Sequence, residues 1–156
     1  MSDEKRCVLI PVDGSEHSQR AFEWFVSHMW RTTDEVVILH VSDNPSLPNI
    51  SLANPVSLPA DEWKTIMEGR IKSIQDIEYN YTARCGQLKM KFTFIAETSS
   101  KPGEMIVNVC RNKNVDTVVM GSRGLGKIRR TFVGSVSDYV LHHLGKPVTV
   151  VPPVNA

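Results

Sequence analysis

Residues 121 to 140 read GSRGLGKIRRTFVGSVSDYV, so Gly121, Gly124, Gly126 and Gly134 fall within fourteen positions of a chain that has nine glycines in all. Backbone that must pass close to a sugar or a phosphate does so most readily where no Cβ intervenes. A helix that begins there offers unpaired N–H groups and the positive end of its dipole, which suit an anion. Gly134 followed by Ser135 fits such a start, with Val136 next and with the Ser135 and Ser137 hydroxyls able to donate to a phosphate oxygen. A long loop that needs glycines only for left-handed turns would have the same composition, so the stretch alone leaves both readings open. Asp13, in PVDGS, and Val41, in HVSD, each end an apolar run. A carboxylate at Asp13 can accept from a ribose hydroxyl or a base amino group, and the backbone N–H and C=O of Val41 can read an adenine edge. Asp13 by itself is equally a turn residue or a neighbour of a helix cap. The convergence of these groups on one edge carries the reading.

The elements that must position them are legible as alternating strands and helices. Short runs of β-branched and other apolar residues at 7 to 12, 35 to 41, 90 to 96, 116 to 121 and 147 to 151 predict five strands. The first, second and fourth are almost continuously apolar, as strands covered on both faces of a parallel sheet are. MKFTFIA alternates, as an edge strand does. Helices are predicted over 15 to 31, with Ser15 as N-cap and a stripe of Ala21, Phe22, Phe25, Val26 and Met29, and over 61 to about 85, with Gly86 as its stop. In the second helix Trp63, Ile66, Met67, Ile71, Ile74, Ile77 and Tyr81 recur at intervals of three and four, which reads as core packing. The third helix starts near Pro102, capped by Ser99 or Ser100, turns Ile106, Val107 and Cys110 inward and ends near Asn114. The fourth runs from Ser135 to about Leu144 and stops at Gly145. This order implies a single doubly wound, Rossmann-like α/β domain over residues 1–156, with a five-stranded parallel sheet and helices on both faces. The proline-rich stretch 43–60 is an irregular excursion, either cover for one side of a cleft or a surface loop. In such a sheet the ligand site lies at the carboxyl ends of the strands, where the winding reverses. Asp13, Val41, Gly121 and Gly134 all belong to that edge.

Composition excludes several classes. The chain has 156 residues, 41% of them apolar and 22% charged, as is ordinary for a globular domain. Its net charge is +1, from 18 basic and 17 acidic residues intermixed, so no summed field favours nucleic acid or an anionic membrane. Cys7, Cys85 and Cys110 are odd in number and far apart, which points to a reduced, cytoplasmic setting and small core residues. The start MSDEKRCVLIPVDGS does not have the pattern of a signal peptide, and no apolar run reaches membrane-spanning length. Lys127, Arg129 and Arg130 read as solvated loop charges, because adjacent arginines cannot aim at one point; Arg123 suits a phosphate better. His142 and His143 are neighbours on different helix faces, and His40, inside an apolar run, reads as a buried, hydrogen-bonded core histidine. No zinc-ligand spacing is present.

The spacing Gly121, two residues, Gly124, nine residues, Gly134, Ser135 resembles the G-x2-G-x9-G-[S/T] signature of the ATP-binding branch of the universal stress proteins. VLIPVDGSEHSQRAFEW, DTVVMGSRG and GKPVTVVP extend the resemblance to nearly the whole chain outside 43–60. It implies a sheet of order 3-2-1-4-5, ATP in the cleft, with Mg²⁺ as its companion ion, and a homodimer. By position it implies that Pro11, Val12, Asp13 and Val41 contact the adenosine, and that Met120, Gly121, Arg123 and Gly124 line the path of sugar and phosphate. Gly134, Ser135, Val136 and Ser137 would then hold the triphosphate.

Efficient turnover is not expected. The pattern G-x-x-x-x-G-K-[ST] is missing, since Gly126-Lys127 is followed by Ile128, and no nucleophile and base pair stands out. A regulator or sensor of the stress response, with at most slow ATP hydrolysis, is the expectation. A phospho-receiver domain has the same plan, with Asp13 ending strand one and Lys146-Pro147 before the last strand, but strand three ends Ile95-Ala96-Glu97-Thr98 without an acceptor aspartate. A dimeric scaffold without nucleotide is the third reading. The fifth strand, PVTVVPPV, is apolar and lies at a sheet edge, which nominates Val148, Val150, Val151 and Val154 for a dimer contact unless the chain's own tail covers them.

Overall fold

Alternating inward and outward residues decide the architecture. The computed structural model describes residues 4–44, 60–122 and 133–154. Its elements are β1 (Cys7–Val12), α1 (Glu16–His28), β2 (Glu35–Ser42), α2 (Ala60–Gln87), β3 (Phe92–Thr98), α3 (Pro102–Asn112), β4 (Thr117–Gly121), α4 (Ser135–His143) and β5 (Val148–Val151). All neighbouring strands pair in parallel, in the order β3-β2-β1-β4-β5. Because side chains alternate across a strand, each central strand feeds two cores. Val8, Ile10 and Val12 of β1 pack with Phe22 and Phe25 of α1 on one face. Leu9 of β1, with Val37 and Leu39 of β2, packs with Ile106 and Cys110 of α3 and Val140 of α4 on the other. The result is the single doubly wound α/β domain that the sequence pattern implies, with β3 and β5 at its edges.

Local chemistry sets most of the boundaries. Ser15 caps α1 by accepting from the Ser18 N–H. The helix ends at His28 rather than at 31, because the buried Asp34 carboxylate accepts from the Arg31 N–H and from the Arg6 guanidinium and so closes the turn into β2. α3 starts at Pro102 as expected, but its N-cap is Lys101 and no side chain caps it; Ser99 Oγ instead accepts from the Lys101 N–H. α3 also stops at Asn112, short of the expected 114, where Asn114 takes a left-handed φ of 51°. α4 ends at His143, with Leu144 as its C-cap and Gly145 at φ 69°.

α2 departs most from expectation. It passes through Gly86 to Gln87, and the left-handed residue that breaks it is Lys89, at φ 54°. Met90 then turns into the core, 6% exposed, so β3 starts at Phe92 and runs to Thr98, two residues later at each end than the apolar pattern suggests. The long apolar stripe is not core throughout. Only Tyr81 and Cys85 of α2 are buried, whereas Ile66 and Ile71 are 50% and 51% exposed. The reason is length: 28 helical residues span roughly 42 Å, while the seven residues of β3 span roughly 23 Å. The N-terminal half of α2 therefore overhangs the carboxyl edge of the sheet.

Stability should follow this division. Ile71→Ser is expected to shift the unfolding free energy by less than about 0.5 kcal/mol, whereas Phe25→Ala should cost about 3–5 kcal/mol. Urea titration followed by circular dichroism measures both, and a comparable loss for Ile71→Ser would contradict the overhang.

Candidate functional site

β1 and β4 are adjacent, and the chain leaves them in opposite directions, toward α1 on one face and α4 on the other. A crevice must open at their carboxyl ends. It takes the form of a cavity of about 500 Å³, within the range of small-molecule sites. Pro11, Val12 and Asp13 line it from β1, Val41 from β2, Met120 and Gly121 from β4, and Gly134, Ser135, Val136 and Ser137 from the start of α4. The structure thus gathers into one cavity every expected site residue except Arg123 and Gly124. Those two, like Gly126, Lys127, Arg129, Arg130 and most of the 43–60 excursion, lie outside the described residues.

The start of α4 is built differently from that of α1. No side chain among the described residues caps it, so the amides of its first turn are not taken up by a serine as they are at Ser15. Its anchor is backbone: the Gly134 N–H donates to the Ser122 carbonyl at 2.6 Å. Gly134 has φ −73°, which any residue adopts, so glycine is required here for space. A Cβ would fall 2.6 Å from the same Ser122 oxygen. Ser135 is exposed, whereas Ser137 is 2% exposed and donates its hydroxyl to the Gly134 carbonyl at 3.0 Å. The Ser137 hydroxyl here bonds back to the helix.

The ends of β1 and β2 supply further polar groups to the wall. Asp13 Oδ1 accepts from the N–H and hydroxyl of Ser15, which makes it both a cap neighbour and a cavity-lining carboxylate. β2 pairs with β1 only as far as His40 opposite Val12, but with β3 as far as Ser42 opposite Thr98. Val41 and Ser42 therefore have a strand on one flank and the crevice on the other. His40 is buried and hydrogen-bonded as expected, its Nδ1 2.8 Å from the Val12 carbonyl, and it also lines the cavity.

Sequence reasoning missed several wall residues. Ser122 follows Gly121 directly, and its buried Oγ has no partner among the described residues. Its signal was simple adjacency. Pro102 and Ile106, one turn apart at the start of α3, were findable from the rule that helices begin at the carboxyl edge. Ser73 and Ile77 come from the middle of α2, held toward β2 by Arg70 donating to Ser42 Oγ at 3.2 Å, and nothing in the sequence announced their place in the wall.

The remaining candidates do not join the site. His142 and His143 bond through Nδ1 to the carbonyls of Asp138 and Tyr139, toward the far end of α4. Burial pushes the Cys85 thiol up to about 11 and the Cys110 thiol to about 12, so neither is poised as a nucleophile. Burial also raises Tyr81 to about 12, against a hydrogen bond with Ser18 that lowers it. Among the described residues no group of three His, Cys, Asp or Glu side chains could hold a metal ion. No helix among them is long and apolar enough to cross a membrane.

Comparison with known proteins matches the model described as "Universal stress protein family" to residues 5–152. Universal stress protein PHOS34 of Arabidopsis thaliana is 29% identical over 167 aligned residues, covering 94% of this chain and 62% of that protein, so this chain spans about three fifths of that relative. Universal stress protein MJ0577 of Methanocaldococcus jannaschii is 26% identical, with 100% of both chains covered. The solved structure of MJ0577 superposes with a TM-score of 0.76 at 24% identity, over 97% of this chain and 98% of that one. A universal stress protein family protein from Arabidopsis thaliana, solved with AMP bound, superposes with a TM-score of 0.68 at 18% identity, over 94% and 90% of the two chains. These superpositions show a shared fold.

The buried thiols generate a pH prediction. Their folded-state values lie above the ordinary value of 9.0, so above that pH the unfolded chain holds fewer protons than the native one. Stability from this source is complete below about pH 9 and falls progressively toward pH 11–12. Denaturant midpoints measured at pH 8 and pH 10.5 should fall less for Cys110→Ala than for the unsubstituted chain, and parallel pH curves would contradict the assignment.

Proposed function

Because this chain belongs to the universal stress protein family, we propose that its carboxyl-edge cavity binds ATP and that nucleotide occupancy sets the output of a cytoplasmic stress-response regulator. The observation that carries the reading is the start of α4, uncapped by any side chain among the described residues and held to the end of β4 by the Gly134 to Ser122 hydrogen bond. N–H groups so placed suit the triphosphate. In this reading Gly134, Ser135, Val136 and Ser137 surround the phosphates, with Mg²⁺ as the companion ion of ATP. Met120, Gly121, Arg123 and Gly124 line the passage between phosphates and sugar, while Pro11, Val12, Asp13 and Val41 hold the adenosine. The AMP-bound relative of the same fold supports a nucleotide as the ligand class. Three free cysteines suit a reducing compartment. For ATP to switch anything, two conformers or two partners must differ in their affinity for it.

We also propose a homodimer through β5. Its outer edge carries no strand among the described residues, and Val154 beyond it is 69% exposed. Val148 and Val150 are half-buried on the α3 and α4 side, whereas Val151 is 5% exposed within the core and supports the strand from beneath.

Calorimetric titration with ATP, ADP, AMP, GTP and FMN tests the first proposal. ATP should bind, and Gly134→Val should weaken it more than ten-fold, at least about 1.4 kcal/mol, in a protein whose circular dichroism shows it folded. No heat with any of the nucleotides would contradict the reading. Sedimentation equilibrium at micromolar concentration should give a dimer, and an exclusively monomeric species would contradict pairing through β5.

A further inference from the structure

His40 is 8% exposed, stands opposite Val12 in the β1–β2 ladder and lines the cavity. Its Nδ1 lies 2.8 Å from the Val12 carbonyl, which can only accept, so Nδ1 carries the hydrogen. In the neutral ring this leaves Nε2 with a lone pair and no hydrogen. No hydrogen bond to Nε2 forms among the described residues, and His40 is part of the cavity wall. An acceptor in the cavity wall that no protein group serves is satisfied by a donor held in the cavity.

The neighbouring chemistry narrows what that donor is. Asp13, next along the same edge, is a carboxylate that also accepts from Ser15, while the start of α4 supplies backbone donors to the wall. A ligand with an anionic end and a donor-bearing end is therefore oriented with its anion at α4 and its donors toward β1 and β2. Building on the nucleotide reading above, we propose that His40 is a specificity-determining residue whose Nε2 accepts a hydrogen bond from the nucleoside, either from a base amino group or from a ribose hydroxyl. The Val12 carbonyl acts through the ring: it fixes which nitrogen faces the ligand.

His40→Asn separates this role from a structural one. The asparagine amide nitrogen can keep the bond to Val12, but no atom replaces Nε2. Calorimetry should show ATP bound about ten-fold more weakly by the variant. If the base amino group is the donor, the triphosphate of purine riboside, which lacks that group, should bind both proteins alike. If a ribose hydroxyl is the donor, 2′-deoxy-ATP or 3′-deoxy-ATP should show that equality instead. ATP binding unchanged by His40→Asn would overturn the proposal while leaving the nucleotide reading intact, and so would equal weakening of every analogue. An unsubstituted protein that binds none of these nucleotides would overturn both. Nitrogen-15 NMR of the unsubstituted protein gives a check independent of the variant's folding. The Nε2 resonance should move on addition of ATP while the Nδ1 proton is retained, and an unmoved Nε2 resonance would contradict the assignment.

Discussion

The contact between the Gly134 N–H and the Ser122 carbonyl, 2.6 Å long, joins the end of β4 to the start of α4. It takes up one donor of the helix, and among the described residues no side chain caps the rest of the first turn. It also sets the spacing: there is no room for a Cβ between the two backbones. A side chain at position 134 would have to push α4 away from the sheet, and with it the amides that face the crevice. The requirement for glycine here is one of volume, since the φ of −73° is open to any residue.

Around that junction the start of α4 supplies backbone N–H groups to the cavity, and the ends of β1 and β2 bring the Asp13 carboxylate, the Val41 backbone and His40 into its wall. The two groups are brought together by the parallel register, which sets Val12 beside His40 and leaves β2 two residues longer than β1. The middle of α2 adds Ser73 and Ile77 as a further wall.

Much of this was legible in the sequence where the determinants are local. The apolar runs of β1, β2 and β4 mark strands covered on both faces, Ser15 marks the start of α1 and Gly145 the end of α4. Most of the expected site residues line one cavity because strand ends and helix starts must meet at the carboxyl edge. What was not legible depends on distance. The spacing of Ile66 and Ile71 identifies one face of a helix but says nothing of how far the sheet beneath it extends. Gly86 looked like a stop, yet the break falls at Lys89, where the chain must turn so that Met90 reaches the core. His40 was readable as a hydrogen-bonded histidine, but its place in the cavity wall becomes visible only once the β1–β2 register is known.

The central claim is that backbone amides at the start of α4 receive the phosphates of a nucleotide. Proton–nitrogen NMR of the labelled protein, titrated with ATP and separately with adenosine, tests it most directly. The amide resonances of Ser135, Val136 and Ser137 should move strongly with ATP and little with adenosine. Movement confined to other parts of the chain, or none at these three amides, would contradict it.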